Sequence, residues 1–112
     1  MNALRIKTAQ GWSDEETFSL AMLYLNMVHL SEEDKLGAAK SRGQVSKAAL
    51  VKEWIFEVAP MRSKGSVEAK LMNLSAVRVE LGLPIVPGYK ALPNMAASTR
   101  IIGGEVFLSD PF

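Results

Sequence analysis

The sequence contains no cysteine and only one histidine, His29. Without cysteine the chain can form no disulfide, present no thiolate nucleophile and build no cysteine-ligated metal centre. A single histidine gives no metal-binding pair and no specific nucleophile–base set, and its position at the end of an apolar helix suits a helix-terminal residue. No glycine-rich phosphate loop of the usual spacing is present. We therefore expect no enzymatic activity, no cofactor and no metal.

Long apolar runs are also missing. No stretch approaches the roughly 20 apolar residues that a membrane-spanning helix needs, and the first residues lack the apolar segment of a secretory signal. Together with the absence of cysteine, this pattern predicts a cytoplasmic protein that does not bind a membrane.

The composition is that of one globular domain. The 112 residues are 48% hydrophobic and 22% charged, which is enough to bury a single core without disulfides or metals. We divide the chain into a flexible arm at residues 1–11, a helical module at residues 12–94 and a C-terminal tail at residues 95–112.

Helix-capping signals and apolar spacing predict three helices. Ser13 followed by Glu16 forms a capping box, Ser66 is placed to cap the third helix, and Gly82 suits the left-handed residue that ends it. The predicted helices span about residues 13–29, 46–58 and 66–81. The expected fold is mainly α, with a three-helix core of the helix-turn-helix or Myb-like kind.

The C-terminal part of the sequence differs from the rest in its proline and glycine positions. Pro84 and Pro87 forbid helix and predict an extended segment that returns across the helices. Gly103 and Gly104 lie between two apolar runs and predict a small β-hairpin over residues 100–108. The edge of such a hairpin, at residues 106–108, could pair with a second copy and form a homodimer.

Charge is unevenly distributed along the chain, although the net charge is only +1. Residues 35–78 hold nine lysines and arginines against three acidic residues. This asymmetry indicates a face that meets an anion, and an ordinary solvated surface is the alternative. The acidic residues of the preceding segment are Asp14, Glu15, Glu16, Glu32, Glu33 and Asp34.

Basic and hydroxyl side chains cluster before the third predicted helix. Residues 62–66 directly precede a helix N-terminus, where backbone N–H groups favour anions. On the helix itself, Lys70 can reach guanine or phosphate, and Asn73, one turn away, can bind adenine through two hydrogen bonds. A basic turn before a third helix is typical of a helix-turn-helix protein. The predicted DNA contacts are Arg62, Ser63, Lys64, Ser66, Lys70 and Asn73, with further phosphates held by Lys47 or Lys52.

Ordinary structural roles compete with these assignments. Asn73 can instead satisfy a buried carbonyl, for example one in residues 84–88. Glu68 can pair with Lys64 across one helical turn. Trp12 is more often part of a core than of a site.

Two motifs resemble a known family. Trp12-Ser13-Asp14-Glu15-Glu16 fits an opening W-[ST]-x-E-E helix, and residues 62–77 fit R-[ST]-x-G-S-[IV]-E-x-[KR]-x-x-N-[ILV]-S-A-V, followed by Gly88-Tyr89-Lys90. Over residues 12–94 the chain resembles the Myb-like or SANT-like helical module that precedes His-Asn-His endonuclease domains in phage and bacterial restriction-type proteins. The resemblance implies a phage or bacterial origin and DNA recognition through residues 62–73. The chain itself carries no His-Asn-His motif.

The first functional hypothesis is therefore a small non-catalytic DNA-binding module. The alternative is a protein-binding module, for example a phage inhibitor of a host defence or nucleic-acid enzyme. In that case the acidic residues of segments 14–16 and 32–34 would form the contact surface, because they could enter a basic nucleic-acid channel on the partner.

Overall fold

The computed structural model of the protein describes residues 11–37 and 42–110. Within these ranges the fold is mainly helical, as predicted, with four helices and no strand beyond an isolated bridge between Leu36 and Val45. The helices are α1 (Asp14–Glu32), α2 (Lys47–Val58), α3 (Lys64–Glu80) and α4 (Ala97–Leu108). None of them is both long and apolar enough to cross a membrane. The predicted flexible arm, apart from Gly11, lies outside the described residues.

The start of α1 follows the sequence prediction. The Ser13 hydroxyl accepts a hydrogen bond from the Glu16 backbone N–H, and the Glu16 carboxylate accepts one from the Ser13 N–H, both at 3.0 Å. This capping box satisfies two of the N–H groups that have no partner within the helix. At its other end α1 continues past His29 to Glu32.

The third helix begins earlier than predicted. Ser63, not Ser66, is the N-cap, because its hydroxyl accepts a hydrogen bond of 3.1 Å from the Ser66 N–H. Lys64 and Gly65, which were expected before the helix, and Ser66, which was expected as its cap, therefore form the first turn of α3. At the C-terminal end, Gly82 adopts a φ of 73°, as expected for the left-handed residue that ends a helix.

The predicted hairpin at residues 100–108 is wrong, because this segment is helical and belongs to α4. Thr99, Gly103, Val106 and Phe107 are its buried residues, and their spacing is that of one helix face. Gly103 serves close packing, not a turn: an added Cβ would lie 3.1 Å from Leu74 Cδ2 on α3. With no strand at residues 106–108, the predicted homodimer through a hairpin edge loses its basis.

The core is consequently built from four helices instead of three. α4, inside the segment predicted as a tail, packs on both α1 and α3, and it contributes Val106 and Phe107 to the apolar cluster. Tyr24 of α1 lies at the centre of this cluster. Its hydroxyl accepts a 2.9 Å hydrogen bond from the Val86 N–H and lies 2.5 Å from the Ser75 hydroxyl. These hydrogen bonds hold the segment that contains Pro84 and Pro87 against α1 and α3, in agreement with the predicted return of this segment across the helices.

Candidate nucleic-acid interface

Arg62 is part of the interior and not of the surface. Its side chain is only 2% exposed. It donates two hydrogen bonds of 2.9 Å to the Glu16 carboxylate and one of 2.7 Å to the Gly11 carbonyl. Its guanidinium also lies 4.0 Å from the centre of the Trp12 ring. This burial argues against the predicted phosphate contact and gives Arg62 a role in joining α1 to α3.

Lys70 is buried beside the same tryptophan. Its ammonium donates a 2.7 Å hydrogen bond to the Thr99 hydroxyl of α4 and lies 5.2 Å from the centre of the Trp12 ring. Burial, and secondarily the nearby charge of Arg62, lowers the pKa of Lys70 below its ordinary value. Since Lys70 is 8% exposed, it does not offer its charge to a duplex in this conformation.

Asn73 has the structural role that competed with base recognition. Its amide donates hydrogen bonds to the backbone carbonyls of Leu92, at 2.7 Å, and Asn94, at 3.3 Å. The acceptors lie further along the chain than residues 84–88, where the sequence had suggested them. Asn73 therefore holds the segment that leads into α4 against α3.

Two of the predicted contact bases reach the surface, Lys52 in the middle of α2 and Lys64 in the first turn of α3. Lys52 and Lys64 are exposed and line one groove together with Ala48, Ala49 and Ile55. Lys64 forms a 3.9 Å ion pair with Glu68 across one helical turn, as predicted. This groove is where the structure brings two of the predicted phosphate contacts together.

Lys47 lies at the neighbouring groove, which shares Ala48 with the first. It is partly buried, donates a hydrogen bond to the Pro87 carbonyl and lies 4.7 Å from the centre of the Tyr89 ring. Burial raises the pKa of this tyrosine to about 12. Because of its contacts with Pro87 and Tyr89, the Lys47 ammonium is only partly available to a ligand in solvent.

Both helix N-termini add positive potential at these grooves. The first turns of α2 and α3 contain no acidic residue, so no carboxylate on these turns offsets the partial positive charge of the helix ends. Glu68, in the second turn of α3, lines the neighbouring groove. Ser46 and Ser63 are the N-caps, and Ser66 is half-buried in the first turn of α3. Of the predicted contact residues, Lys52 and Lys64 therefore line the first groove and Lys47 lines the second, while Ser63 is exposed next to Lys64 in the chain.

The predicted acidic surface is divided. Asp14 and Glu15 lie at the N-terminal end of α1, and Glu16 beside them is bound to Arg62. Glu32, Glu33 and Asp34 lie at the opposite end of this 19-residue helix, which is roughly 27 Å away at 1.5 Å per residue. Apart from Glu16 the residues of both clusters are exposed, but the clusters lie too far apart to form one contiguous patch. Within the described residues no group of three or more histidine or acidic side chains could hold a metal ion.

The sequence did contain a signal for the buried bases. Lys70 and Arg78 fall on the apolar stripe of α3, one helical turn from Val67 and Leu74. Arg78 is 3% exposed, donates a 2.8 Å hydrogen bond to the Pro84 carbonyl and lies over the ring of Phe107. A base at such a position predicts a partner inside the fold and not a ligand in solvent.

The chain matches none of the family models, curated proteins or solved structures with which it was compared. The resemblance to the Myb-like module of restriction-type proteins therefore stays a prediction.

Proposed function

We propose that the protein is a non-catalytic DNA-binding module that holds duplex phosphates at the groove between α2 and the first turn of α3. The observation that carries this proposal is the pairing of Lys52 and Lys64 on one groove with two helix N-termini whose first turns contain no acidic residue. Lysine side chains, hydroxyl groups and helix N-termini are the groups that proteins commonly use to bind phosphate oxygens.

The same geometry favours binding without strong sequence preference. Contacts to phosphates position a protein on DNA, whereas contacts to base edges select a sequence. Lys70 and Asn73, the two predicted base contacts, are engaged inside the fold. We therefore expect affinities in the nonspecific range, with a Kd of about 10⁻⁴–10⁻⁶ M at physiological salt.

A helix-turn-helix arrangement of α2 and α3 forms the finer part of the proposal. The connection between them is short, since α2 ends at Val58 and α3 begins at Lys64. In this arrangement the first turn of α3 enters the major groove while α2 crosses the backbone. The phage or bacterial origin that the resemblance implies belongs to the same proposal.

The test is fluorescence anisotropy with a short labelled duplex of random sequence at low salt. The double variant Lys52→Ala/Lys64→Ala should bind roughly 10-fold more weakly than the wild type, because each phosphate contact contributes about 1 kcal/mol or less at an exposed site. The control Lys35→Ala/Arg100→Ala removes the same charge from exposed positions outside the groove and should bind almost as tightly as the wild type. Equal losses in the two double variants, or no binding by the wild type, would overturn the proposal.

A further inference from the structure

A second surface, formed by α1 and α4, is apolar. The two helices pack against each other: the rings of Tyr24 and Phe107 lie 5.6 Å apart, and His29 is 3.0 Å from Asp110, two residues after the end of α4. Between the helices lies an open groove of about 810 Å³. It shares no lining residue with the basic groove between α2 and α3.

Several apolar side chains that line this groove are exposed to solvent. Phe18 is 53% exposed, Met22 is 46% exposed and Leu108 of α4 is 70% exposed, while Leu25 lies buried among them. Phe18 and Met22 are four residues apart and so lie on one face of α1. A contiguous exposed apolar surface of this kind typically marks a binding site, whereas a single exposed apolar residue does not.

The charges around the groove are of one sign. Glu105 and Asp110 are its charged lining residues, and no lysine or arginine lines it. Glu105 is exposed and makes no ion pair within the described residues. Glu15 lies three residues before Phe18 on the same face of α1 and is also exposed. Glu15 and Glu105 are thus the exposed carboxylates beside the apolar side chains, since the side chain of Asp110 is only 8% exposed and contacts His29.

We infer that this groove is the docking site for an amphipathic helix of a partner protein that carries lysines or arginines beside its apolar stripe. Two helices packed side by side leave a groove in which a third helix can place apolar side chains at positions i, i+4 and i+7. Basic residues beside that stripe would then meet Glu15 and Glu105, which gives the contact its orientation and its selectivity.

The charge also distinguishes this partner from other occupants. A second copy related by a two-fold axis would bring the same patch against itself and would concentrate the carboxylates of both copies at one interface. Like charges in such a position oppose association. DNA is disfavoured for the same reason, because its phosphates would approach Glu105 and Glu15.

The proposal can be tested with a fluorescein-labelled synthetic helix that has leucine at i, i+4 and i+7 and lysine at the flanking positions. The control peptide carries glutamate in place of each lysine. Anisotropy should show the lysine peptide binding the wild type, and binding should weaken roughly 10-fold in Phe18→Ala/Met22→Ala, as expected when two anchor side chains are truncated. Phe56→Ala is the matched control, because Phe56 is 80% exposed on α2, outside the groove.

Charge reversal supplies a second readout. Glu105→Lys should lower the affinity for the lysine peptide and raise the affinity for the glutamate peptide. Because Glu105 is exposed, the melting temperature of this variant should stay close to that of the wild type. Binding of both peptides with equal affinity, an equal loss in Phe56→Ala, or no binding would overturn the inference. Dimerisation of the wild type that Phe18→Ala/Met22→Ala abolishes would assign the groove to a second copy instead and would equally overturn it. DNA binding by these variants should be unchanged, which keeps this test separate from that of the proposed function.

Discussion

Arg62 donates two hydrogen bonds of 2.9 Å to the carboxylate of Glu16, across 46 residues of sequence. This contact joins the two segments on which the family resemblance rests, the acidic opening of α1 and the basic turn before α3. Glu16 at the same time completes the capping box of α1 with Ser13. Both motifs therefore have a structural function in this chain, whether or not they also contact DNA.

Replacing Arg62 should consequently destabilise the fold. Arg62→Ala leaves the partly buried Glu16 carboxylate without its partner, and we expect a loss of about 3 kcal/mol in the free energy of unfolding, measured by urea denaturation. The stability of Arg62→Lys should lie between those of the wild type and Arg62→Ala, because an ammonium cannot reproduce the bidentate contact. A variant that unfolds like the wild type but binds DNA more weakly would instead support Arg62 as a phosphate contact.

The same pair gives a dependence on pH. The hydrogen bond from Arg62 holds the pKa of Glu16 below its ordinary value of 4.5. Because folding favours the carboxylate form, the contribution to stability is complete above pH 4.5 and disappears as the pH falls through the lowered pKa. The difference in unfolding free energy between the wild type and Glu16→Gln should therefore shrink on acidification. Glu15→Gln, which removes an exposed charge from the same turn, should show no such convergence toward the wild type.

The two neighbouring glycines of α4 should respond differently to alanine. At Gly104 an added Cβ meets nothing within 4 Å, so Gly104→Ala should stabilise the helix by about 0.5–1 kcal/mol. At Gly103 the Cβ would approach Leu74 Cδ2 at 3.1 Å, so Gly103→Ala should be less stable than Gly104→Ala in thermal unfolding. A hairpin turn would require left-handed glycines, and both substitutions would then destabilise the protein.

These glycines also show where the sequence was insufficient. The caps at Ser13 and Ser46 were predictable because they depend on neighbouring residues alone. Gly103 and Gly104 have the local signature of a turn, whereas the helix that they form packs on α1 and α3, which are distant in the sequence. Ser63 and Ser66 are equally good caps in isolation, so the start of α3 was ambiguous.

Less of the candidate site than of the fold could be predicted from the sequence. The sequence identifies Lys52 and Lys64 as bases, and the spacing of α3 places Lys70 on its buried face. The sequence does not reveal that the Lys70 ammonium binds the Thr99 hydroxyl and lies near the Trp12 ring, because both residues come from distant parts of the chain. Long-range partners of this kind decide which bases reach solvent.

Asn73 should contribute to stability and not to DNA binding. Asn73→Ala leaves the Leu92 and Asn94 carbonyls without their donor, and we expect a loss of roughly 1–3 kcal/mol in urea denaturation. Asn26→Ala, at an exposed position of α1, should change stability by less than about 0.5 kcal/mol. If Asn73→Ala kept its stability and changed the preference among DNA sequences, Asn73 would be a base contact after all.

The most direct test of the proposed DNA contact is the salt dependence of binding. The logarithm of the association constant should fall linearly with the logarithm of the salt concentration, with a slope of about −0.9 for each phosphate contacted. If Lys52 and Lys64 each hold one phosphate, their double alanine variant should have a slope shallower by about 1.8, while Lys35→Ala/Arg100→Ala keeps the wild-type slope. An unchanged slope in Lys52→Ala/Lys64→Ala would contradict the assignment of the DNA contact to the groove between α2 and α3.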